Sequence, residues 1–177
     1  MMRIFRILVM GLALCLAQSK MNAQSKAIGV DFSMTGIGVS YEHYVESGSF
    51  LTLDLYLDTD DLMWLRASHP GASASLIWNM VFAEKSSSLG NRISFFAGPG
   101  IMVGYVTDMN DIAGGAFGLK GRVGVECSFK RQVTLSASLS PILGCHITSQ
   151  NAEAKMKLYK SGLLQTVIPE IGIKYTF

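Results

Sequence analysis

The chain has 177 residues, enough for one domain, with 15 lysines and arginines against 13 acids. Hydrophobic residues make up 49% and charged residues 16%. The longest apolar run, from Ile7 to Ala17, falls short of the about 20 residues a membrane-spanning helix needs. Together these numbers exclude a bundle of membrane helices and the basic footprint of a nucleic-acid-binding protein.

In chain order, the first element is a secretory signal. Arg3 and Arg6 form its basic start, and Ile7 to Ala17 its apolar stretch. Cleavage fits after Ala17 or Ala23. Ala23 is preferred because a new pattern begins directly after it, making 1–23 a cleaved signal peptide and 24–177 the mature domain. Cys15 follows Leu14, where a lipidated cysteine needs a small residue. Loss of Arg3, Arg6 and Lys20 lowers the basic count from 15 to 12, so the mature chain is near −1 and the pI of about 8.4 belongs to the precursor.

From Gln24 onward, apolar and polar residues alternate with period two, the signature of strands. Leu51, Leu53, Leu55 and Leu57 stand against Thr52, Asp54, Tyr56 and Asp58. Val133, Leu135, Ala137, Leu139, Pro141 and Leu143 stand against Gln132, Thr134, Ser136, Ser138 and Ser140. Leu119, Val123, Val125, Cys127 and Phe129 oppose Lys120, Arg122, Gly124, Glu126 and Ser128. Eight strands are predicted at 26–33, 36–45, 49–59, 72–84, 91–106, 115–129, 131–144 and 165–177. The turns near 46–48, 85–91 and 130–131 are short. Of the opposite connections (34–35, 59–71, 107–114 and 145–164), three are long. Short periplasmic turns and longer outer loops are the asymmetry of a transmembrane barrel.

A soluble barrel buries its apolar face and shows charge outside. This chain has too few charged residues for that, while a narrow lumen suits its Gly, Ser and Thr. Aromatic residues gather near predicted strand ends, at Tyr41, Tyr44, Trp64, Phe82, Tyr105, Phe129, Tyr175 and Phe177, as interfacial girdles do. The expected fold is therefore all-β, an eight-stranded antiparallel up-and-down transmembrane β-barrel.

Three segments resemble the small Gram-negative outer-membrane β-barrel family, the eight-stranded porin-like barrels. The chain ends in Ile171, Ile173, Tyr175 and Phe177 at alternate positions, similar to the signal read by the barrel-assembly machinery. Gly124 to Phe129 resembles a strand entering a periplasmic turn. Ala27-Ile-Gly-Val, followed by Val39 to His43, resembles an opening hairpin. The resemblance implies an outer-membrane location, contact with outer-membrane lipid and lipopolysaccharide, assembly by that machinery, and a monomer without a nucleic-acid partner.

Eight strands leave a lumen just wide enough to be filled by side chains. The inward positions hold Asp31, Glu42, Asp54, Glu126 and Glu170 as acids and Lys120, Arg122 and Lys174 as bases, an expected lumen charge network. Tyr44, Tyr56 and Phe96 also point inward and oppose a wide pore. Cys127 and Cys145 lie too far apart along neighbouring strands for a disulfide, and neither metal-ligand spacing nor a cofactor motif is present. His43 is placed on the outward face and His69 in a loop. Asp58, Asp60 and Asp61, and Lys155, Lys157 and Lys160, read as solvated loop charges, and the glycines at 98–100 and 114–115 precede no helix.

The catalytic candidates are His146, Thr148 and Glu153. A histidine can serve as base to a hydroxyl on its own strand face when an acid orients it. The segment resembles the His-x-Ser core of outer-membrane lipid A deacylases, but Thr148 replaces the serine and Ser149 falls on the other face. The expected function is a non-enzymatic surface, adhesion or envelope-integrity protein. A deacylase-like lipid A-modifying enzyme and a narrow channel stand as alternatives.

Overall fold

The computed structural model describes residues 25–33, 36–46, 48–58, 71–87, 90–107, 113–129, 132–150, 153–158 and 169–177. The signal segment 1–23, Trp64, His69, Asp60, Asp61 and Lys160 lie outside them. Among the described residues there are ten strands: β1 (Lys26–Phe32), β2 (Gly36–Glu46), β3 (Ser49–Asp58), β4 (Gly71–Ser86), β5 (Arg92–Thr107), β6 (Ala113–Phe129), β7 (Val133–Leu139), β8 (Ile142–Gln150), β9 (Glu153–Leu158) and β10 (Pro169–Thr176). Their pairings are antiparallel. β1 to β7 pair in sequence, β7 pairs with β10, and β10 returns to β1, so eight strands close into a barrel. β8 continues β7 along β6, and β9 folds back on β8.

Closure leaves no edge around the ring, and alternation then sorts the side chains. Leu53, Leu55, Leu57, Ile101, Val103, Leu119, Leu135 and Leu143 are exposed on the outer wall. Phe50, Thr52, Asp54, Ile77, Asn79 and Phe96 are fully buried inside it. This distribution is inside-out relative to a soluble barrel, and it fits hydrocarbon as the outer solvent. Tyr41, Phe82, Tyr105, Phe129, Tyr175 and Phe177 are exposed outward. Tyr44 differs from the girdle expectation, because its ring lies inside, 5.2 Å from that of Phe50.

Inward glycines make room for large rings. A Cβ on Gly38 would lie 2.8 Å from the Tyr56 ring, and one on Gly124 would lie 2.7 Å from Phe96. The lumen is thus filled by rings lying over bare backbone. At the turn between β2 and β3, Gly48 has φ +101°, a conformation that side-chain-bearing residues rarely adopt.

Two expectations need correction. The stretch at 145–164 is not one long loop, since β8 runs to Gln150 and β9 covers Glu153–Leu158, their Cα pairs running from Cys145↔Leu158 to Gln150↔Glu153. Alternation simply continues: Leu143 and Ile147 are exposed outward while His146 is buried. Glu153 therefore begins a strand rather than lying in a loop, and Lys155 and Lys157 belong to β9. The predicted strand 131–144 is interrupted between Leu139 and Ile142. Pro141 has no N–H for the ladder, and its carbonyl instead accepts the Gly121 N–H at 2.8 Å.

Candidate functional site

The lumen is the interior of this fold, and two ion-pair clusters cross it. In the first, Arg122 on β6 donates through Nη2 to Asp54 Oδ2 on β3 at 2.6 Å and to Glu170 Oε2 on β10 at 3.1 Å. Lys120 Nζ lies 3.5 Å from Glu170 and 3.8 Å from Asp54, and 5.1 Å from the centre of the Tyr56 ring. Ser75 donates to Asp54 at 3.0 Å and Ser140 to Glu170 at 3.1 Å. In the second cluster, Lys174 on β10 donates to Glu42 on β2 at 2.5 Å and to Glu126 on β6 at 2.6 Å. Tyr44 donates to the other Glu42 oxygen at 3.3 Å, and Asn79 donates to Thr52 at 2.8 Å.

Charges removed from water are tolerated when paired and hydrogen-bonded, and both clusters meet that condition through partners far apart in sequence. Strand parity puts these groups inside, and barrel curvature brings them together. Seven of the eight expected network residues join the two clusters. The eighth, Asp31, is buried beside them, but its Oδ2 accepts no hydrogen bond from the described residues. Below the second cluster, towards the end holding both termini, Phe50 and Phe96 meet edge to face at 5.3 Å and fill the lumen together with Tyr44. A cavity of about 590 Å³ opens at that end, lined by Ser25, Tyr44, Glu84, Arg92, Ser128 and Thr176 among others.

Sequence reasoning did not single out Phe50 or Asn79. Their parity with Thr52 and Ser75 was the available signal, hidden because an aromatic ring next to Leu51 reads as part of an apolar run.

His146 is buried on the lumen face, its ring over Gly114, and its Nε2 donates to the Val106 carbonyl at 3.1 Å. Thr148 lies two residues further along β8, and Glu153 is paired with Gln150. The side chains of both lie outside the described part. Ile171, Ile173, Tyr175 and Phe177 are exposed on the outer wall, and backbone bonds between Phe177 and Lys26 hold the seam closed. Cys127 and Cys145 are free thiols. Among the described residues, no group of three His, Cys, Asp or Glu is placed to hold a metal ion.

No protein-family model matches the chain, and no curated protein does. Among solved structures, the N-terminal β-barrel domain of Pseudomonas aeruginosa OprF is similar, with 13% identity, a TM-score of 0.51, and coverage of 87% of this chain and 96% of that one. A major outer membrane protein from Thermus thermophilus aligns at 12% identity and a TM-score of 0.46, over 88% of this chain and 100% of that one. At such identities the likeness to the OprF domain is one of fold: a closed eight-stranded antiparallel barrel of the outer-membrane type.

Proposed function

We propose that this chain is a monomeric Gram-negative outer-membrane protein that serves as a non-enzymatic, non-conducting element of the envelope. In this reading the signal peptide at 1–23 exports it, and the assembly machinery reads the alternating residues that end in Phe177. The termini face the periplasm, and the far loops and the β8–β9 hairpin meet lipopolysaccharide or the outside. The observation that carries the reading is the lumen, spanned by Arg122 and Lys174, each bridging two carboxylates, and sealed by Phe50 and Phe96.

The placement of His146 supports a non-enzymatic role. A base acting on lipid at the outer wall has to face that wall, and His146 instead faces the lumen with one ring nitrogen bonded to a backbone carbonyl. The test is to express wild type and His146→Ala in a barrel-competent Gram-negative envelope and count lipid A acyl chains by mass spectrometry. Identical lipid A with wild type, with the variant and without the protein is expected. An acyl chain lost with wild type and restored with the variant would overturn the reading.

A further inference from the structure

One cross-strand row in the lumen joins Asp31 on β1 to Gly38 and then Tyr56 on one side, and to Gly172 and then Ser136 on the other. Both immediate neighbours of Asp31 are glycines, so no adjacent side chain fills the row beside its carboxylate. A Cβ on Gly172 would collide with Asp31 Oδ1 and with the Ser136 hydroxyl, which shows that both oxygens lean into that gap.

The bases near Asp31 are Lys174 and Arg122. Each already bridges two other carboxylates, Glu42 and Glu126 for Lys174, Asp54 and Glu170 for Arg122. Lys120 balances the Arg122 cluster at two acids and two bases. The other side has Glu42, Glu126 and Asp31 against Lys174 alone. Asp31 is 5% exposed, and a carboxylate buried that deeply needs a countercharge.

A second observation points to the same place. Asp31 Oδ2, the Ser40 hydroxyl and the Tyr56 hydroxyl are all buried and none makes a well-formed hydrogen bond to the described residues, the Ser40 hydroxyl only leaning towards the Asp31 carboxylate. Ser40 is the hydroxyl beside Asp31, and Tyr56 lies over Gly38 in its row. They come from three adjacent strands and are all oxygens, the ligand type of hard cations. With one carboxylate among them and the other described lumen acids engaged by lysine or arginine, the set matches a singly charged ion rather than a divalent metal.

We propose that the lumen binds one alkali-metal cation at Asp31, held by the oxygens of Asp31, Ser40 and Tyr56. The ion offsets one of the two excess negative charges on the Lys174 side and makes stability depend on the type of salt. The test uses the full mature chain, folded in detergent micelles, in sodium, potassium or choline chloride at one ionic strength. Thermal unfolding is followed by the β-sheet circular dichroism signal. Wild type is expected to unfold several degrees higher in sodium or potassium than in choline. Asp31→Asn is expected to abolish that difference, and in choline to unfold no lower than wild type. Ser40→Ala is expected to shrink the difference, and it serves alone if Asp31→Asn does not fold. Glu84→Gln, at the exposed terminal mouth, is expected to retain it. Equal unfolding in all three salts overturns the proposal. So does a cation effect that survives Asp31→Asn and Ser40→Ala, or a protonated-carboxyl infrared band that Asp31→Asn removes, which would put a proton where the cation is proposed.

Discussion

Lys174 holds two carboxylates at once, and removing it exposes what the pairing contributes. Lys174→Met leaves Glu42 and Glu126 buried without their cation, at an expected cost of about 3–5 kcal/mol. Adding Glu42→Gln and Glu126→Gln should recover most of the loss, because neutral amides do not need a countercharge. Urea unfolding of the refolded protein in lipid vesicles measures both. A second residue-scale prediction concerns space. Gly38→Ala drives a methyl group into the Tyr56 ring, with an expected cost of about 1–3 kcal/mol. The same change in a Tyr56→Leu background should cost less, and a double-mutant cycle reads the difference. At this scale parity made the inward acids and bases legible, since Asp54 and Lys174 sit between apolar neighbours and Arg122 and Glu42 keep the same alternation. Which acid meets which base was not legible, because the pairs form across a closed ring from residues as much as 132 positions apart.

On the outer wall the strands present one apolar parity. Leu135 on β7 is exposed between its outward paired residues Ile173 and Cys127. Leu135→Arg puts a charge into hydrocarbon at an expected cost of about 2–4 kcal/mol if the position lies near the bilayer midplane. Leu135→Phe should insert normally. The fraction of heat-modifiable, membrane-embedded protein distinguishes them, and equal yields would contradict the assigned register. Most strands were legible because each keeps the alternation over much of its length. The β8–β9 hairpin was not, for a physical reason. Between Glu153 and Leu158 only Ala154, Met156 and Leu158 are apolar, and the intervening Lys155 and Lys157 read as a solvated loop. Backbone pairing with β8 supplies what that short pattern does not announce.

For the whole molecule, the closed ring and the filled lumen fit together: the apolar outer wall suits lipid, and ion pairs and rings occupy the interior. The class of fold was legible from one continuous apolar face and a scarcity of charge. The sealing of the lumen was only partly so, because Phe50 hides in an apolar run and its contact with Phe96 is tertiary. The most direct test is single-channel recording with the purified barrel in a planar bilayer. No sustained conductance is expected for wild type in potassium chloride up to about 100 mV of either sign, a drive of about 2.3 kcal/mol per charge. Steady ohmic steps from the wild-type barrel would contradict it.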